Sequence, residues 1–212
     1  MTDREASPER EASTDAGGSA DRGPSAERPV RILGIAGSLR RASYNQGLLR
    51  AAIELAPPDV VIETFDIGTL PLHNEDLRAG GDPAPVAALK EAIARADAVL
   101  FVTPEHNRSI PGVLKNAIDW ASRPPDTTPL AEKPVGVIGA SDGPWGTTRA
   151  QLHLRQILTT PGSLVMVKPE VYVERAPQYA DAGGNLVDEK VRERVRRYVI
   201  ALAAWARRLG GR

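Results

Sequence analysis

Short, almost wholly apolar runs recur along the chain, and between them apolar residues return every three or four positions. Val30–Ala36, Val60–Phe65, Ala98–Thr103 and Val135–Ala140 have the apolar texture of strands buried on both faces. Leu164–Val167 together with Val171–Val173 predicts a fifth strand, interrupted near Pro169. The intervening stretches read as helices over Tyr44–Leu55, Pro85–Arg95, Gly112–Ser122 and Thr147–Thr159, with Asp188–Leu209 closing the chain. Pro57-Pro58 stops the first helix, and Asp66–Pro83 reads as a long loop. Strands alternating with helices predict an α/β fold, a parallel sheet covered on both sides. With right-handed crossovers, five strands most naturally take the order 2-1-3-4-5, a flavodoxin-like three-layer sandwich. The loops after Ala36, Thr103 and Ala140 should then meet at the crevice where the winding reverses.

Residues 1–28 break this pattern. They contain no aromatic residue and no Ile, Leu or Val, and are rich in Ala, Ser, Glu, Asp, Arg, Gly and Pro. Such a segment cannot bury enough apolar surface to offset its ordering entropy, so it reads as a disordered extension before one domain at 29–212. It also carries seven acids against four arginines, which leaves 23 bases and 20 acids for the rest of the 212-residue chain. That surplus is too small to predict nucleic-acid binding. There is no cysteine, which excludes disulfides, thiolate metal sites and a cysteine nucleophile, and the three widely spaced histidines do not make a metal site. No apolar run approaches a membrane span and the N-terminus lacks a signal-peptide layout, so a cytoplasmic location is expected.

The candidate chemistry lies in three loops. The first, Gly37-Ser38-Leu39-Arg40-Arg41-Ala42-Ser43-Tyr44-Asn45, links a strand to a helix, where free amides and the helix dipole favour an anion. Ser38 and Ser43 offer hydroxyls, Asn45 an amide, and Arg40 a fork suited to a phosphate. The loop is neither a Walker A loop nor GxGxxG, which points away from ATP hydrolysis and toward a terminal phosphomonoester. Taken alone, it leaves two readings open, since Ser43 also fits a helix cap and Arg40 a solvated side chain. The second loop runs Pro104-Glu105-His106-Asn107-Arg108-Ser109-Ile110-Pro111-Gly112 and could offer rigid donors to a flat ring. The third, Gly139-Ala140-Ser141-Asp142-Gly143-Pro144-Trp145-Gly146, allows close backbone approach, as a ligand-free turn also would.

Taken together, GSLRxxSxN, PExNxSxPGxLKNAIDWxSR and GASxGxxG after strands one, three and four resemble the NAD(P)H-dependent FMN reductase family. This flavodoxin-like group includes quinone, chromate and azo-dye reductases, and the likeness covers residues 30–173. It implies that Ser38, Arg40, Ser43 and Asn45 hold the FMN phosphate. It implies that Pro104, Glu105, His106 and Asn107 lie along the ribityl chain and ring, with Ser141 and Gly143 closing the far side. NADPH or NADH would reduce the flavin at N5, and a small acceptor such as a quinone would take the electrons in a ping-pong cycle. No protein acid–base pair is required, although His106 is a candidate proton donor. His106 stands where the family usually has Tyr, which places an imidazole near the flavin edge. The family also forms dimers and tetramers, and Trp120 with the apolar side of its helix is a candidate interface or simple core. Arg108 is a candidate for the nucleotide phosphates. The competing reading is a flavodoxin-type FMN electron carrier without nucleotide turnover.

Overall fold

The computed structural model describes residues 28–210. The sheet runs β2-β1-β3-β4-β5, built from β1 (Val30–Ala36), β2 (Val60–Thr64), β3 (Ala98–Val102), β4 (Pro134–Ala140) and β5 (Leu164–Val165). Every pairing is parallel, and a further strand, β6 (Val171–Val173), continues the edge beyond β5 along β4. The predicted order and the interruption of the last strand are both present.

Side chains alternate across this sheet and so build two cores. On one face Ile32, Leu100 and Ile138 pack against α1 (Tyr44–Glu54) and the long α6 (Glu189–Gly210). On the other, Leu33, Phe101 and Val137 meet α3 (Ala84–Arg95), α4 (Gly112–Ala121) and α5 (Thr148–Thr159). The Asp66–Pro83 stretch, expected as loop, contains a short 3-10 turn at Ile67–Thr69 and a one-turn helix, α2 (Glu75–Arg78). Asp66 and Asn74 cap these turns through their side chains, a local signal too short to register as periodicity.

Where the outer strand breaks between β5 and β6, β4 loses a ladder partner at Val137. The Tyr198 hydroxyl of α6 fills the gap, accepting from the Val137 amide at 2.7 Å and donating to its carbonyl at 3.1 Å. Burial pushes this phenol up to about 12, so it remains a donor. Leaving both backbone groups unpaired would cost about 1–3 kcal/mol each.

Residues 1–27, which hold nearly all of the expected disordered extension, lie outside the described residues. Arg28, assigned to that extension on composition, belongs to the fold. Its guanidinium makes a two-pronged ion pair with Asp97, at 2.8 and 2.7 Å, and Asp97 also accepts from the Arg31 amide. Among the described residues no helix is long and apolar enough to cross a membrane, and no group of three His, Asp or Glu could hold a metal ion.

Candidate functional site

The three loops converge on one cavity of about 440 Å³ at the carboxyl ends of β1, β3 and β4. Its lining includes Ser38, Arg40, Ser43 and Asn45 from the first loop, Pro104, Glu105 and His106 from the second, and Ser141 and Gly143 from the third. Of the residues that the resemblance assigns to FMN, Asn107 alone is outside it, and Arg108 and Trp120 do not line it either.

The first loop is chemically open. After Gly37 donates to Val102, the amides from Ser38 to Ala42 donate to nothing among the described residues. They precede the amino end of α1, whose first turn carries no acid, so the helix dipole behind them favours an anion. Ser43 caps the helix, its Oγ accepting from the Asn45 amide at 3.2 Å, which leaves its hydroxyl proton to donate elsewhere. Capping and anion binding are therefore compatible. Arg40 is exposed, lies 5.5 Å from the Tyr44 ring, and has no carboxylate partner among the described residues. Asn45, expected among the phosphate donors, lines the cavity, is buried and braces the site. Its carboxamide donates to the Ala140 carbonyl and accepts from the Ala140 amide, both at 2.9 Å, tying α1 to the end of β4.

The second loop is the reverse, with its side chains already engaged. Helix α5 begins after Thr147, which adopts φ of 70° and makes no side-chain cap. Glu105 replaces the missing cap from 44 residues away. Its carboxylate accepts from the amides of Arg149 (3.0 Å) and Ala150 (3.2 Å) and pairs with the Arg149 guanidinium (2.9 Å). What Glu105 retains for a ligand is its backbone amide. His106 and Ser109 exchange backbone hydrogen bonds at 2.9 Å around Asn107 and Arg108, both with positive φ, in a tight type I′ turn. The left-handed conformation accounts for Asn107, since Asn tolerates it better than most residues. His106 is exposed at the mouth.

The third loop is pinned from β6. Ser141 donates to Val173, Ala176 to Ser141 and Arg175 to Gly143, each at 3.0 Å. A Cβ at Gly139 would sit 2.2 Å from the Thr103 carbonyl oxygen, whereas one at Gly143 would meet open space. Gly139 is thus needed for packing, and Gly143 leaves room at the cavity.

The remaining motif residues hold structure. Asn116 accepts from the His73 amide (2.7 Å) and donates to Pro71 (2.9 Å), and Trp120 Nε1 donates to Pro71 as well (2.8 Å). Trp120 is fully buried within its own chain, its ring 4.7 Å from that of His73, so core packing is its role. His153 on α5 contacts the Ser109 hydroxyl at 3.1 Å. Two supports escaped the sequence reading. Arg149, held by Glu105, lies 4.7 Å over the exposed Trp145 ring. The turn containing Gly184 packs so closely on α1 that a Cβ at Gly47 would fall 1.8 Å from the Gly184 carbonyl oxygen. The Gly183-Gly184 pair was the available signal there, but nothing in it indicated the partner.

A parallel sheet of this order, with an open donor loop and two braced loops at one mouth, defines a flavodoxin-like mononucleotide-binding protein. Residues 30–178 match the family model for NADPH-dependent FMN reductase. The chain is 50% identical over 182 residues to an NAD(P)H-dependent FMN reductase of Pseudomonas aeruginosa, covering 86% of this chain and 98% of that protein. It is 43% identical to a 2-hydroxy-1,4-benzoquinone reductase of a Burkholderia species, covering 84% and 97% of the two chains. Among solved structures, the flavoenzyme NAD(P)H:(acceptor) oxidoreductase FerB of Paracoccus denitrificans superposes with a TM-score of 0.78 at 38% identity. That match covers 84% of this chain and 98% of FerB. The chain belongs to the NADPH-dependent FMN reductase family, an oxidoreductase that works with FMN and NAD(P)H.

Proposed function

We propose that the 440 Å³ cavity binds FMN, with its phosphate on the first loop and its ring along the second, and that the acceptor is a quinone-type small molecule. The observation that carries this reading is the run of amides from Ser38 to Ala42 that have no partner among the described residues, joined by the Ser43 hydroxyl and by Arg40, which has no carboxylate partner among them either. Such a set suits a phosphate dianion without further rearrangement. Pro104, Glu105, His106 and Asn107 would follow the ribityl chain and ring mainly through backbone, and Ser141 and Gly143 would close the opposite side. The amides of Glu105, Asn107, Asp142 and Gly143 have no partner among the described residues and are the donors available to the ring's polar edge. FMN bound there supplies a centre that takes a hydride from NAD(P)H at N5 and passes the electrons on. The protein's part is to keep that centre oriented and one face reachable. With one face reachable, nucleotide and acceptor would have to use it in turn. His106 at the mouth is placed to give the acceptor a proton, as solvent also is.

The names of the relatives support the acceptor class. The family resemblance supports assembly into a homodimer or homotetramer, which light scattering would determine. The cysteine-free composition supports a cytoplasmic location.

The test is direct. Protein saturated with FMN and desalted should be yellow, should bleach on anaerobic addition of NADPH, and should regain colour with benzoquinone. Steady-state NADPH oxidation at varied quinone should give parallel double-reciprocal lines. Protein that stays colourless at saturating FMN ends the reading, and bleaching without quinone turnover would favour the electron carrier.

A further inference from the structure

A second concavity of about 670 Å³ adjoins the first, between α1 and the segment after β2. Arg40 lines both, so that side chain is a wall common to the two. The groove adds Arg41, which is exposed and has no carboxylate partner among the described residues. Beside it are apolar surfaces, the exposed Leu39 and Ile53 and the half-buried Phe65. The groove's one carboxylate, Asp66, accepts from the Gly68 amide at 2.8 Å. A third cleft of about 570 Å³, between the last loop and α6, differs in that Glu174 and Asp188 offset its Lys190 and Arg194. The groove beside α1 is thus the one that shares a wall with the FMN cavity and combines a cation surplus with apolar surface.

We infer that this groove receives the adenosine 2′-phosphate end of NADPH and that Arg41 makes the enzyme prefer NADPH to NADH. This rests on the FMN reading given above. A dinucleotide whose nicotinamide lies over the flavin must run its adenosine out of the first cavity, and the shared Arg40 wall marks an exit. Leu39, Ile53 and Phe65 give adenine an apolar surface, and Arg41 meets the one charged group that NADPH has and NADH lacks. Because Arg41 is exposed, its effect falls at the lower end for a charge-assisted contact, about tenfold.

The test uses FMN-saturated protein with a fixed quinone. Wild type should show a kcat/KM for NADPH about tenfold above that for NADH. Arg41→Ala should remove most of that preference by raising KM for NADPH much more than KM for NADH, and Arg41→Lys should restore part of it. Calorimetric titration of the FMN-loaded protein with 2′,5′-ADP, which needs no turnover, should show binding that weakens in Arg41→Ala, while binding of 5′-AMP should not change. An unchanged NADPH preference in Arg41→Ala overturns the inference, and so does a preference lost in Arg108→Ala instead. Wild-type protein that binds no FMN would sink the underlying reading, a different result from a flavoprotein whose nucleotide preference ignores Arg41.

Discussion

The first and second loops of the site are built on opposite principles. The first carries the less distinctive sequence and leaves the amides from Ser38 to Ala42 and the Arg40 guanidinium without a hydrogen-bond or carboxylate partner among the described residues. The second belongs to the longest motif in the chain, yet its conspicuous side chains are nearly all engaged within the protein. Glu105 caps α5, Asn116 and Trp120 fasten the 71–73 turn, and Lys115 pairs with Asp119 at 2.6 Å. A distinctive motif therefore need not be a list of ligand contacts. Here much of it makes the wall against which a ring can lie, while the plainer loop supplies the donors.

Removing donors from the open loop should have the largest effect. Arg40→Ala with Ser43→Ala should weaken FMN binding by more than tenfold, since each charge-assisted bond contributes roughly 1.5–3 kcal/mol and Arg40 is solvent-screened. Riboflavin, which lacks the phosphate, should bind the double variant as it binds wild type. Equal losses for both flavins in a fluorescence titration would count against a phosphate at this loop.

Next comes the brace between the loops. Asn45→Ala leaves the Ala140 amide and carbonyl unpaired in a buried place, at a cost of about 2–3 kcal/mol, which is roughly 5–10 °C in Tm for a chain of this size. A fall of less than about 2 °C in a calorimetric scan would show that the brace is dispensable.

Breaking the braced loop itself should do less. Glu105→Gln keeps the shape but gives up the charge at the α5 amino end and the Arg149 pair, about 1 kcal/mol in a partly exposed setting. FMN affinity should drop by less than threefold. A tenfold drop in a variant of unaltered thermal stability would instead make the carboxylate a direct ligand contact.

The smallest effect lies far from both loops. The Arg28 hydrogen bond, chiefly, holds the Asp97 carboxyl below its ordinary range. A carboxyl depressed in the folded state stabilises the fold above its unfolded value, near pH 4, and that contribution disappears as pH falls through the folded value. Asp97→Asn should therefore lower Tm by about 2 °C at pH 7, and the difference should shrink as pH falls below about 4. A constant difference across that range would assign the effect to packing.

Much of the fold could be read before any coordinates were known, because buried parallel strands announce themselves as unbroken apolar runs. Even the division at Pro169 was visible, since a proline cannot sustain the ladder. Side-chain commitments were far less visible. That Asn45 faces Ala140 and Glu105 faces α5 depends on contacts spanning 95 and 44 positions, and neither residue type distinguishes a brace from a ligand donor. Arg28 was misassigned for a related reason. Its neighbours' composition resembles a tail, and its partner Asp97 lies 69 residues away.

One consequence of the Glu105–Arg149–Trp145 stack is optical. Of the three tryptophans, Trp120 is buried and Trp205 half-buried, so Trp145 is the one most open to water. Its indole rests under a guanidinium that is itself fastened to Glu105. The molecule thus carries a native fluorophore coupled to the wall of its own pocket, one that responds to the seating of that wall without any attached dye.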